Sequence, residues 1–584
     1  MDKRWVSKEQ GDQEVLLHLS QALNINENLA NLLTQRGVFT FDEAKAYFRP
    51  LLEHLHDPFL MKDMDKAVER IEVAIRKKEK ILVYGDYDVD GTTAVALVFT
   101  FLNHFHQLLD YYIPDRYEEG YGISYKGIDF AAENGFSLII ALDCGIKAVE
   151  KIGYAKEKNI DFIVCDHHRP GDSLPPAVAI LDPKRDDCEY PYKELSGCGV
   201  GFKLIQAYSS RYNIPFKDLE QYLDLVVVSI ASDIVPITGE NRVLAFYGLK
   251  KINANPRVGF EAILNVSSMQ RNGIEAENIK ITRELTINDL VFIIGPRINA
   301  AGRIESARNS VALLVTENRE QAYRLGRQIN DLNTERKNLD TFTTSQAVEY
   351  LIEHPDQMDR RSTVLYNPKW HKGVIGIVAS RLIEIHYKPT IVLTYADNLV
   401  TGSARSIKGF DIYDAVDACG DLLEHFGGHT YAAGLSMKPE NYEKFSARFE
   451  EYVQEHLQSE LLIPEIEIDA KLQLKDINTR FYKILKQFAP FGPGNMSPVF
   501  QTDKLIDTGY ARIVGNNHLK LSVVQLDVTG FPISSIAFQQ GEKIDFIKSL
   551  QPFNICYHIE ENEWNNQKSL QLNIKDIKPY VSGN

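Results

Sequence analysis

The stretch Ile81 to Thr93, ILVYGDYDVDGTT, places three carboxylates, Asp86, Asp88 and Asp90, at alternate positions directly after a short apolar run. Ile81 to Tyr84 reads as a buried strand, Gly85 as its exit, and Ala94 to Phe101 takes up the apolar spacing of a helix. Carboxylates this close repel one another. A folded chain keeps them ionised at a sheet edge only with strong positive charge between them, most simply a divalent metal. Hard oxygen donors suit Mg²⁺ or Mn²⁺. The same residues equally make a polar turn, since loops are built from Asp and Gly. The two readings separate only if later elements end in the same way.

They do. From residue 81 onward apolar runs alternate with helical patterns, the signature of a parallel sheet with helices on its faces. Strands are expected at Ile81–Tyr84, Asp110–Ile113, Leu138–Leu142, Phe162–Cys165 and Val178–Leu181, and a further apolar run, LDLVVVSIA, ends at Ser232 and Asp233. Asp143 follows the third strand, and Asp166, His167 and His168 follow the fourth. Ligands of such sheets gather beyond the carboxyl ends of the strands. Each residue has its own structural alternative: Asp143 as a helix N-cap, His168 as a surface histidine, Asp233 as a turn residue before Pro236. Four strand ends that all carry Asp or His are better explained together, as a two-metal site. Two metals about 3.5–4 Å apart share a carboxylate, activate a water and stabilise the leaving oxygen of a phosphodiester. A neutral imidazole can ligate while a neighbouring Asp fixes its tautomer. No Walker A, Ser-x-x-Lys or G-x-S-x-G pattern competes for the chemistry.

With 584 residues the chain is too long for one core. A net charge of −15 rules out a uniformly basic nucleic-acid coat but leaves room for a local basic channel. Its six cysteines are scattered without a C-x-x-C pair, which suits a reducing compartment. No apolar signal region opens the chain and no run spans a bilayer, so a cytoplasmic location is expected.

GDYDVDG, LDCG, DHH and SDIVP occur in the order of the four motifs of the DHH phosphoesterase superfamily, which this chain resembles. GPRINAAGRI, RSIKGFDIYDA and GGHTYAAG extend the likeness to the RecJ family of bacterial single-strand-specific 5′→3′ exonucleases, from about residue 20 to the end. The resemblance implies an α/β fold: a parallel-sheet DHH lobe and a smaller DHH-associated α/β lobe joined by a long helix, then a C-terminal β-barrel of the oligonucleotide-binding (OB) type. The implied divisions are 1–70, a helical segment on the catalytic lobe; 71–320, the DHH lobe; 321–356, the connecting helix; 357–459, the DHH-associated lobe; and 460–584, the OB fold.

Carried over by position, the resemblance makes Asp86, Asp88, Asp90, Asp143, His167 and Asp233 ligands of two Mn²⁺ or Mg²⁺ ions, with Asp143 as the bridge. Asp166 would orient an imidazole and His168 would face the scissile phosphate. Arg116, Arg297 and Arg303 would bind phosphate, for which the planar guanidinium fork is suited; an ion-pair role remains open for Arg303. Ser403 and Arg405 would hold the terminal 5′ phosphate, with His371, Lys408 and His429 as further backbone contacts.

Residues 461–584 balance at 13 basic and 13 acidic side chains, and Phe488, Phe491, Tyr510, Arg512, Lys520 and Phe538 are available there for base stacking or for core. The implied partners are single-stranded DNA, a single-strand-binding protein and a RecQ-type helicase, with the chain a monomer. The resemblance places the close of the barrel at residue 584, whereas many members of the family carry a further C-terminal domain. Docking of a helicase or single-strand-binding protein through such a domain is therefore not expected here. Two other activities fit some of the motifs: a DHH phosphodiesterase of short oligonucleotides or cyclic dinucleotides, and a non-catalytic DNA-binding scaffold. The barrel counts against the first and the intact acids against the second.

Overall fold

A computed structural model describes residues 3–272, 283–564 and 567–581. The chain divides into two compact units: one comprises Asp57–Asp233 and Tyr247–Pro464, the other Lys3–His56, Ile234–Phe246 and Glu465–Asn584.

The first unit holds a five-stranded, all-parallel sheet. Lys80–Gly85 lies between Leu109–Tyr112 on one side and Phe136–Leu142 on the other, followed outward by Asp161–Cys165 and Ala179–Leu181. Leu82, Val83, Ile139 and Ile140 are fully buried, as β-branched and apolar runs covered on both faces must be. The chain passes from the first strand to a neighbour on one side and then crosses to the other, which opens a crevice at the carboxyl ends of the first and third strands. Asp86 and Asp143 stand at those two ends.

Helix Val89–Asn103 begins in this crevice. The Asp88 side chain caps it by accepting the Gly91 N–H at 3.0 Å. Apolar on nearly all sides, it runs beneath the sheet and packs against helices Gly197–Arg211 and Leu223–Ser232. The last of these corrects an expectation: LDLVVVSIA is a helix, not a sixth strand, and Asp233 sits at its C-terminus. An unbroken apolar run carries no period, so it serves a helix buried all round as well as a central strand.

Helix Arg319–Glu353 is 35 residues long, about 50 Å at 1.5 Å per residue. Its start packs against helices Val258–Asn272 and Gly295–Ile304, while Ala347 and Leu351 enter a core with Val374, Val378 and Leu382 of the second lobe. That lobe is a mixed sheet in the order His425–His429, Ala432–Met437, Leu399–Arg405, Thr390–Ala396, Thr363–Tyr366, with only the last pair parallel.

In the second unit Phe500–Asp507 pairs with both Phe553–Trp564 and His518–Gln525, closing a barrel without a free edge there. Residues 3–56 depart from the expected packing on the catalytic lobe. Leu16, Leu19, Leu29, Leu32 and Leu33 share one core with Leu472, Phe481, Phe500 and Leu519 of the barrel, and strand Arg4–Ser7 pairs in parallel with Glu465–Ile468. Leucines at helical spacing require an apolar partner, but the sequence does not say which. Phe488 is wholly buried in this core, so its ring is packing rather than a stacking platform, whereas Tyr510 is 68% and Phe538 50% exposed. Among the described residues no helix is long and apolar enough to cross a membrane.

Candidate active site

Asp86, Asp90, Asp143, Asp166 and His167 are all buried at the sheet edge. His167 is the hub. Its Nε2 lies 3.2 Å from Asp143 Oδ1, 3.5 Å from Asp233 Oδ2 and 3.7 Å from Asp90 Oδ2. Neither ring nitrogen of His167 has a hydrogen-bond partner, and neither does Asp143 Oδ1 or Asp86 Oδ2. Buried polar atoms are almost always paired, so four orphans at one sheet edge, two of them (His167 Nε2 and Asp143 Oδ1) only 3.2 Å apart, mark a place for a ligand. Burial and then the neighbouring carboxylates push Asp86, Asp143 and Asp233 well above the usual carboxylate range; Asp88 is raised for the same reasons. Two sets, Asp143–His167–His168 and Asp90–His167–Asp233, each bring three donor atoms within 4.8 Å of one another. Oxygen and imidazole donors in this number fit divalent Mn²⁺ or Mg²⁺.

Local geometry holds the set rigid. Asp143 adopts φ 60°, a left-handed conformation that Asp and Asn tolerate better than most residues. Gly197 lets a helix N-terminus come up against it: a Cβ there would lie 2.6 Å from Asp143 Cβ. Asp90 accepts the Gly197 and Cys198 amides and the Ser229 hydroxyl, each at 2.7 Å. Asp166 accepts the Ile146 and His167 amides at 2.9 and 2.8 Å and His168 Nδ1 at 2.7 Å. Burial opposes its charge, yet these bonds hold Asp166 well below the usual range. The same contact overrides burial at His168 and raises its imidazole to about 9. The imidazole that Asp166 meets through a side-chain bond is therefore that of His168, not His167.

Across the crevice stands a cationic cluster. Arg303 is pushed down to about 10 by burial and by Arg116, Arg336 and Arg405 around it; Arg405 is lowered by burial and Arg116. Arg303 donates to the Gly373 carbonyl at 3.0 Å, Arg405 to Ser403 Oγ at 2.9 Å, and Arg116 lies over the Tyr87 ring. Among the described residues none of Arg116, Arg303 and Arg405 has a carboxylate within ion-pair distance. His371 sits by Gly373, opposite Tyr117 and Arg303. His429 faces the acidic edge: with Gly428 it walls a cavity of about 490 Å³ whose other side is Asp88, Tyr121, Lys147 and His168. Lys408 is exposed in the turn beyond Arg405.

Arg297 departs from its expected place on phosphate. It is 4% exposed and donates to Asn330 Oδ1 at 3.1 Å and to the Ile293 carbonyl at 2.7 Å, tying its helix to the connecting helix. Three neighbours escape a motif reading. Tyr121 donates to the Asp143 carbonyl at 3.0 Å and lies 3.3 Å from His168 Nε2; its flanking glycines at positive φ were the only local sign. Ser229 is a lone hydroxyl in an apolar run. Asp182, at the end of the fifth strand, is wholly buried with Oδ2 unpartnered, and burial pushes it up to about 7.

A parallel-sheet lobe with this carboxylate–histidine edge, closed by a second lobe bearing arginines, defines the DHH class. Residues 80–230 match the DHH family, N-terminal domain; residues 360–455 match the DHHA1 domain; and residues 468–576 match the RecJ OB domain. The single-stranded-DNA-specific exonuclease RecJ of Bacillus subtilis is 36% identical over 97% of this chain and 70% of its own length; that of Salmonella typhimurium is 34% identical over 94% and 96%. A crystal structure of RecJ in complex with Mn²⁺ from Thermus thermophilus superposes with a TM-score of 0.82 at 26% identity, covering 99% of this chain and 80% of that one. The chain belongs to the RecJ family.

Proposed function

We propose that this protein is a metal-dependent exonuclease that hydrolyses single-stranded DNA from the 5′ end and releases mononucleotides. One observation carries the reading: orphaned, buried carboxylate and imidazole atoms face an unpaired arginine cluster across a cleft. Asp86, Asp88, Asp90, Asp143, His167 and Asp233 would hold two Mn²⁺ or Mg²⁺ ions. Bound there, such ions supply an activated water and neutralise the leaving oxygen.

The chain's own residues do the rest. Ser229 and the Gly197 and Cys198 amides fix Asp90, so its charge cannot swing away. Asp166 keeps the His168 imidazolium aimed into the cavity, a cation for the scissile phosphate. Arg116, Arg303, Arg405 and Ser403 hold the 5′ phosphate, and His371, Lys408 and His429 contact the following backbone. A cleft walled by both lobes admits one strand and excludes a duplex. The exposed barrel aromatics Tyr510 and Phe538 offer π-faces to further bases. On the same reading the protein works as a cytoplasmic monomer with a single-strand-binding protein and a RecQ-type helicase.

The deciding assay is digestion of end-labelled strands, 5′ against 3′ and single against double, with and without Mn²⁺. Mononucleotides released only from single-stranded 5′ ends support the reading; faster cleavage of dinucleotides than of long strands would replace it with a short-oligonucleotide phosphodiesterase. Arg405→Ala is expected to raise KM for 5′-phosphorylated strands about 10- to 100-fold, the worth of a charge-assisted hydrogen bond, and to erase the advantage over 5′-hydroxyl strands. Binding should weaken with salt at about 0.7 log units per log unit of salt for each phosphate neutralised, and Arg116→Ala should remove about one such increment. An unchanged slope would exclude Arg116 from phosphate contact.

A further inference from the structure

The connecting helix lines two separate cavities. Its stretch around Arg336 faces the catalytic crevice, where Arg336 lines a cavity with Arg303. Residue 349 lies 13 positions on, about 20 Å along the axis. There Gln346, Glu349, Tyr350 and Glu353 form one wall of a separate cavity of about 310 Å³, and Tyr366 and Trp370 form the other. That volume is at the lower end of the roughly 300–1,000 Å³ of small-ligand sites.

Its chemistry is specific. Glu349 and Glu353 stand one helical turn apart on the same face, and among the described residues neither carboxylate has a hydrogen bond or an ion pair. Trp370 is 7% exposed, and its indole donates to Gln346 Oε1 at 3.0 Å, which fixes the ring against the helix. Tyr350 is held by stacking on His354 at 4.0 Å, and Tyr366 packs at a tilt against Tyr442 at 5.1 Å. The aromatic walls are therefore preorganised. On the same helix, Ile352 and Phe342 are 72% and 63% exposed, apolar surface that a bare charged ligand would leave uncovered.

Two unpaired carboxylates repel nucleic-acid phosphate, so the substrate strand has no place here. Aromatic faces beside carboxylates attract a cation, and a planar guanidinium can stack on a ring while forking to a carboxylate. We propose that this groove receives an arginine side chain of a protein partner, whose flanking apolar residues cover Ile352 and Phe342. The site is distinct from the nuclease centre and does not depend on the proposed activity. It places a docked protein on the helix that also reaches the crevice.

The full chain labelled with 5-fluorotryptophan tests this, the Trp370 resonance being assigned by Trp370→Phe. The probe is acetyl-Gly-Arg-Gly-amide, against its citrulline counterpart, which keeps the shape and loses the charge. Saturable displacement of the Trp370 signal by the arginine peptide and not the citrulline peptide is expected, and Glu349→Gln/Glu353→Gln should weaken it about tenfold. Tyr350→Ala should weaken it as well, while digestion of single-stranded DNA by the double variant stays unchanged. The proposal falls if citrulline works equally, if the double variant binds as before, or if dAMP displaces the signal in place of the peptide. It falls too if the double variant loses nuclease activity, since the groove would then belong to the substrate path.

Discussion

Asp143→Asn is expected to lower single-strand hydrolysis by about 10⁴-fold while the protein stays folded. Asparagine is the substitution of choice, since Asp143 sits at φ 60° and alanine would add backbone strain to the loss of charge. A second readout separates lost chemistry from lost structure. Asp143 is buried among Asp90, Asp88, Asp233 and Asp166, all of which push its carboxyl upward. Removing that charge relieves repulsion, so in chelator the variant should melt at or above the wild-type temperature. With saturating Mn²⁺ the order should reverse. The wild type gains stability by mass action, about 2.7 kcal/mol at one hundred times Kd, and the variant should gain far less. Activity within tenfold of wild type, or equal Mn²⁺ stabilisation, would remove Asp143 from the centre.

Gly91→Ala should destabilise the first unit by about 3 kcal/mol, read from urea unfolding, and take most activity with it. A Cβ at this position would lie 2.4 Å from the Asp86 carbonyl oxygen, 2.6 Å from its nitrogen and 2.8 Å from its carbonyl carbon. All three are backbone atoms at the end of a central strand and cannot turn aside. Relief would need the helix bearing Asp90 to slide away from the strand bearing Asp86, separating carboxylates that must act together. Gly434 is the control: nothing lies within 4 Å of its Cβ position, so Gly434→Ala should change stability by no more than about 0.5 kcal/mol. Similar effects at both positions would mean that backbone freedom, rather than close approach, explains Gly91.

Much of the site was legible because the acids follow short apolar runs, and a parallel sheet gathers the ends of such runs on one edge. Asp86, Asp143, Asp166 and His167 needed nothing more than that rule. Asp233 reached the same place by another route, at the end of a buried helix, and the apolar run before it could not say so. Arg297 and Arg303 lie six residues apart in one small-residue segment, yet one is spent on Asn330 and the other faces the arginine cluster. Helical phase separates them, and which phase faces the crevice depends on how that helix lies against Arg319–Glu353.

By itself the sequence determined what neighbouring residues settle among themselves: the alternation of strand and helix from residue 81 and the placing of acids where elements end. These follow from side-chain periodicity and turn chemistry, which act over a few residues. Only the tertiary structure decided which surfaces meet. It joined the leucines of residues 3–56 to the barrel core, set Ser229 and two helix-terminal amides on Asp90, brought Tyr121 to His168, and left carboxylate and imidazole atoms facing one another unpaired. Those contacts join residues far apart in the chain, and an apolar or polar side chain states that it needs a partner without stating where the partner is.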